Sequence, residues 1–299
     1  MENPTSLTII AAGLVLAQVF ETTRPPVFTR FRPENSTARP VVNSSHLRRN
    51  CFAGCPILQR AYYDFGPTFL IARQAYALEV SGRDKVPLWV SEYVTASELD
   101  SHASGSLRYV ADPLLPPQER SEPNDYRNAP FDLAPLASLA HQRTLKEVQA
   151  DVFFMSNVAP QVPEFHRQVW KHLDFLTRRW IQARGAAYVI TGGFFYDRRE
   201  EDPAVATGAV RYLTIGPGRV AVPTHFYKII IARNPRSHLF ESIAFVLENR
   251  AYREPYDEQS YIRSIKWIED RTGIRFMSQL EATDVARLKE TEAQLWPTR

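Results

Sequence analysis

Seven short apolar runs, each bounded by polar or turn-forming residues, constrain this chain more than any other feature: Phe69–Ala75, Leu88–Tyr93, Val152–Met155, Tyr188–Thr191, Val210–Ile215, Phe226–Ala232 and Ile243–Leu247. Runs of this length read as strands rather than helices. The segments between them are hairpin-length or helix-length, with no regular succession of crossover helices. The pattern predicts an α+β fold: a mixed, mainly antiparallel sheet with helices packed on it. Two helices have clear apolar stripes. One covers His166–Arg184 and carries Val169, Trp170, Leu173, Leu176 and Trp180; the other covers Glu258–Arg271 and carries Ile262, Ile265 and Ile268. No repeat of solenoid period is present.

A chain of 299 residues with 44% hydrophobic content can bury one sizeable core. The expected organisation is a hydrophobic helix over 1–24, an extended linker over 25–50, a domain over 51–280 and a charged, helical C-terminal tail over 281–299. Leu7–Phe20 is nearly uninterrupted apolar sequence, and Asn3-Pro4 supplies a cap and a first-turn proline. A helix from Pro4 to about Thr23 would be ~30 Å long and could just span a bilayer. The absence of basic residues from Met1 to Ser6 argues against a cleaved targeting signal, so the segment is expected to be a membrane anchor; a cleaved or buried hydrophobic helix is the alternative, because the run is shorter than the usual span of about 18 apolar residues. Gly13 and Ala17, four apart, give it a small-residue face for another helix. Arg24, Arg30 and Arg32 follow the span, leaving its orientation open. Pro25 to about Asn50 has the composition of a linker.

A net charge of +3 is too small to mark a nucleic-acid binder. Two cysteines, Cys51 and Cys55, cannot make a four-thiolate zinc site; a short-loop disulfide or two buried thiols remain.

Several segments in order resemble the DNA/RNA non-specific endonuclease family, which includes endonuclease G. They are Asn50–Pro56, Asp125–Ser138, Ser156–Gln161, Val220–Lys228, Phe245–Leu247 and Ile265–Phe276. The resemblance implies the ββα-metal nuclease architecture, and it favours a Cys51–Cys55 disulfide with an oxidising compartment. It also implies a catalytic loop of the form Asp-Arg-Gly-His. Here Asp132 is followed by Leu133-Ala134-Pro135: aligned without a gap, Leu133 stands at the arginine and Pro135 at the general base, and with the Leu-Ala-Pro letters aligned instead, the three residues after Asp132 are deleted, so both alignments remove base and arginine. Proline cannot take a proton.

The family's metal-holding Asn corresponds to His166, and the acidic residue supporting the ion's water shell to Asp174. Imidazole suits transition metals better than Mg²⁺. Arg108 and Arg178 resemble phosphate-contacting arginines but equally suit salt bridges; Asn157 and Gln161 match the family signature and can serve the fold. His141 is a poor replacement base, and His225 suits a core or sheet position. Trp170, Trp180 and Trp267 suit packing.

The expectation is therefore a catalytically inactive, endonuclease G-like accessory subunit of a membrane assembly such as a respiratory complex. Its partners would be protein subunits and the membrane itself. Its location would be mitochondrial, at the inner membrane with the domain in the intermembrane space. No cofactor is expected. The alternatives are a divalent-metal-dependent DNA/RNA endonuclease with a rearranged site, using Mg²⁺ or another divalent metal, and a nucleic-acid-binding protein that does not cleave.

Overall fold

The structure, a computed structural model, describes residues 19–24, 43–60, 64–99, 108–138, 150–202, 204 and 209–297. In chain order the elements are β1 (Val19–Arg24), α1 (Ser44–Asn50), β2 (Ile57–Leu58), β3 (Thr68–Ala72), β4 (Ala77–Ser81), β5 (Pro87–Thr95), α2 (Ala96–Leu99), β6 (Asp132–Pro135), β7 (Val158–Gln161), α3 (Lys171–Arg184), β8 (Ala186–Phe194), β9 (Val210–Ile215), β10 (Val220–Val222), β11 (His225–Arg233), β12 (Phe240–Glu248), α4 (Ile265–Thr272), β13 (Ile274–Arg275) and α5 (Ala282–Val285).

A six-stranded sheet in the order β12-β11-β8-β5-β4-β3 forms the centre, and each neighbouring pair is antiparallel. Both faces of this sheet are covered. Along β11, Phe226, Ile230 and Ala232 enter one core with Trp170, Leu173 and Trp180 of the long helical segment. Tyr227, Ile229 and Ile231 enter a second core with Ile265 and Ile268 of α4. Alternation along a strand sends neighbours to opposite faces, so a strand buried on both sides needs the continuous apolar run seen here. The close approach of β8 and β11 requires Gly192. A Cβ there would lie 2.3 Å from the Tyr227 hydroxyl, which donates to the Leu88 carbonyl at 2.9 Å.

Smaller ladders flank the sheet: β1-β9-β10, β13-β2 and β6-β7. The turn between β9 and β10 is fastened to the chain preceding β6. Gly218 N–H donates to the Asp125 carboxylate at 2.6 Å, and that carboxylate also accepts from Glu122 N–H at 2.8 Å. Gly216 adopts φ +66° with its α-carbon against the Asp125 backbone, where a side chain would collide.

The structure corrects five expectations about local conformation. The N-terminal helix does not run to Thr23, because Val19–Arg24 pairs antiparallel with β9 along its full length. Val19, Phe20, Thr22 and Thr23 are β-branched or aromatic and suit a strand. Gly13 and Ala17 lie outside the described residues, and among those described no helix is long and apolar enough to cross a membrane. The linker is not extended to Asn50: α1 is capped by the Asn43 side chain, and Asn50 donates to the Arg73 and Gln74 carbonyls.

Val152–Met155 is no strand; it leads into a tight turn over Met155–Asn157. The C-terminal helix of the domain begins at Ile265 rather than Glu258, because Ile262 bridges to Phe245 and the Ser264 hydroxyl caps Trp267 N–H at 3.1 Å. The tail is helical only through Glu290, and Trp296 then packs edge-on against Trp180.

Candidate active site

The hairpin β6-β7 sets Asp132 opposite Gln161, Leu133 opposite Pro160 and Pro135 opposite Val158. Asn157, fully buried at the start of β7, fixes the hairpin. Its side-chain oxygen accepts from Ala137 N–H at 2.8 Å, and its amide donates to the Ala137 and Val152 carbonyls at 3.2 and 2.9 Å. Gln161 is fully buried, and its amide has no partner among the described residues.

Beyond β7 the chain enters its long helical segment through a widened, π-type turn, Phe165–Trp170, before α3 begins. Such turns are frequent at functional sites. This one brings two successive side chains to a single carboxylate. His166 Nδ1 lies 3.0 Å from Asp132 Oδ2, while Arg167 donates from Nε to Oδ2 at 2.7 Å and from Nη2 to Oδ1 at 2.6 Å. Burial alone would raise the Asp132 pKa. Hydrogen bonds from Arg167 and His166 outweigh it and hold the carboxyl below its ordinary value. The trio is accessible: Arg167 is 69% exposed and His166 32%, against 16% for Asp132.

Deeper in the same face, Asp174 of α3 accepts from Lys228 Nζ of β11 at 2.8 Å. The ammonium also lies 4.8 Å from the centre of the Trp170 ring. Arg178 donates to the Leu99 carbonyl at 3.3 Å, and Arg108 is exposed. Cys51 and Cys55 are joined, with Cα atoms 4.8 Å apart.

The structure thus unites Asp132 with His166 but gives Asp174 a different partner. His141 lies outside the described residues. His225 projects from the other face of the sheet. Trp170 and Trp180 are core residues, whereas Trp267 is half-buried beneath the Arg271 guanidinium, 3.7 Å from its ring centre. Neither Arg167 nor Lys228 is among the site residues that the sequence predicts. Lys228 had a signal, as the single charge inside the run Phe226–Ala232.

The donors present do not fit a Mg²⁺ ion. Both oxygens of Asp132 are bonded to Arg167 and His166, and Asp174 faces an ammonium. No group of three or more His, Cys, Asp or Glu residues that could hold a metal gathers among the described residues. What remains is one imidazole nitrogen, His166 Nε2, a donor better suited to a transition ion.

The antiparallel sheet, the short hairpin and the helix crossing it form an α+β, ββα-metal nuclease-like fold. Comparison with known proteins agrees. A family model for DNA/RNA non-specific endonucleases matches residues 60–283. Mitochondrial endonuclease G of Bos taurus is 31% identical over 73% of this chain and 72% of that protein. Mitochondrial endonuclease G of Homo sapiens is also 31% identical, over 71% of each. A chain in the crystal structure of an EndoG/EndoGI complex superposes with a TM-score of 0.67 at 27% identity, covering 73% of this chain and 88% of that one.

The chain belongs to the DNA/RNA non-specific endonuclease family. This overturns the expectation of a catalytically inactive accessory subunit. The family match spans most of the chain, the relatives bear nuclease names, and nothing indicates a subunit role.

Proposed function

We propose that this protein hydrolyses phosphodiester bonds of DNA or RNA, with His166 as the general base at a rearranged centre. The observation that carries the proposal is the convergence of His166 and Arg167 on Asp132. The Asp132 carboxylate fixes the imidazole through Nδ1, leaving Nε2 to accept a proton from water. The water oxygen bonds to phosphorus as the ester bond to the leaving oxygen breaks. The imidazolium or solvent then returns a proton to the leaving oxygen. Arg167 commits Nε and Nη2 to Asp132, so Nη1 and the exposed Arg108 are available to balance the phosphate's charge.

The test is cleavage of plasmid DNA and single-stranded RNA by the full chain, with Mg²⁺, with Mn²⁺ and with chelator. Wild type is expected to cleave in at least one condition, and His166→Ala to lose about 10²–10⁴-fold in rate. No cleavage in any condition, or an unaffected His166→Ala, sinks the proposal.

The relatives' names and the Cys51–Cys55 bond support a mitochondrial location on the oxidising side, in the intermembrane space. Protease sensitivity that appears on rupture of the outer membrane alone is the expected result. Protection until the inner membrane is opened would place the protein in the matrix instead.

A further inference from the structure

His225, the first residue of β11, projects from the face of the sheet opposite Lys228, since the two are an odd number of residues apart on one strand. There the end of β12, the loop after it, α4 and the chain after β8 enclose a cavity of about 560 Å³. Its walls combine aromatic rings, including Tyr196, Tyr261 and Trp267, with three guanidinium groups, Arg198, Arg250 and Arg263.

The cavity's two carboxylates are already engaged. Glu248 pairs with Arg250 at 2.8 Å, and Glu201 pairs with Arg271. Arg198 and Arg263 have no carboxylate partner among the described residues; Arg263 donates only to the Ser260 and Ile262 carbonyls, from Nη1. The cavity therefore carries an uncompensated positive charge beside flat rings.

His225 lines the same cavity with Nδ1 3.0 Å from the Thr224 hydroxyl. Burial lowers its pKa to about 4, so near neutral pH it is an uncharged hydrogen-bonding group. Rings that stack on a planar base, guanidinium groups that grip phosphate and a neutral polar group between them are complementary to one ligand class.

We propose that this cavity is a nucleotide-binding site, separate from the Asp132–His166 centre, that takes a base together with its terminal phosphate. The ligand could be a free mononucleotide or the phosphorylated end of an oligonucleotide, since both present the same chemistry. The proposal does not depend on cleavage, because the two sites lie on opposite faces of the sheet.

Titration calorimetry on the full chain carrying His166→Ala tests it, with AMP, adenosine, inorganic phosphate and a 5′-phosphorylated oligonucleotide as probes. AMP is expected to bind saturably, at least about tenfold more tightly than adenosine or inorganic phosphate. Arg198→Ala with Arg263→Ala should weaken AMP by about tenfold or more. Both side chains are at least partly exposed, so folding should survive, and an unchanged circular dichroism spectrum checks this. A phosphorylated oligonucleotide that competes with AMP identifies chain ends as ligands; one that does not leaves the mononucleotide.

Absence of AMP binding, equal binding of phosphate alone, or unchanged affinity in the folded double variant overturns the proposal. So does a loss of AMP affinity on substituting Arg167 rather than Arg198 and Arg263, which would place the nucleotide at the other site.

Discussion

Lys228 Nζ meets Asp174 Oδ1 at 2.8 Å in the interior, with the lysine side chain only 1% exposed. Removing one partner strands the other charge. Lys228→Met is therefore expected to destabilise the fold by about 3 kcal/mol, whereas adding Asp174→Leu should recover most of that loss. Urea unfolding of the wild type and the two variants measures it. A double variant no more stable than the single would show that the pair matters through some other contact.

Asp132→Asn keeps the shape of the side chain but removes the charge that orients His166. Cleavage is expected to fall about 10²-fold or more, with substrate affinity changed far less. The acid limb of stability should move as well. The Asp132 pKa is lowered in the folded protein, so its contribution is present above the unfolded value near ~3.9 and lost as pH falls through the lower folded value. An equally acid-sensitive Asp132→Asn protein would contradict this.

His225 has the opposite charge type and the same direction of pH dependence. Burial lowers its pKa to about 4 despite Glu248 and Asp197, which raise it, while Arg250 assists the lowering. The unfolded chain takes up this proton first, near ~6.5, so stability is complete above that pH and declines between ~6.5 and ~4. Replacement by Gln should flatten this window, removing a slope worth on the order of 3 kcal/mol. Thermal unfolding across pH 4 to 7 reads it; identical profiles for both proteins would refute the assignment.

Cys51–Cys55 closes a very short loop, so the chain-entropy contribution is modest, about 2 kcal/mol. Changing both cysteines to serine should lower stability by that order while leaving cleavage intact. A large loss of activity in the folded double-serine protein would mean that the loop supports the site.

The sequence exposed the sheet where burial is two-sided. Phe226–Ala232 and Ile243–Leu247 need continuous apolar residues, and both runs lie inside strands. Strand β4 was hidden by Glu79, whose charge interrupts Ala77–Ser81. In the fold that carboxylate accepts from the Thr68 hydroxyl at 2.6 Å and from the Trp89 indole at 3.3 Å, partners invisible to local pattern.

The site divides in the same way. Asp132 and His166 each stood out, but their contact joins positions 34 residues apart and depends on a widened turn with no compositional mark. Arg167 stands in no motif that would set it apart from other arginines.

Strand β11 assigns alternate residues to two different cores. Inserting a single residue ahead of Lys228 would deliver its ammonium to the wrong side and exchange every apolar neighbour with it. Among descendants of this chain, substitutions along β11 can therefore accumulate, whereas insertions and deletions inside it should be purged.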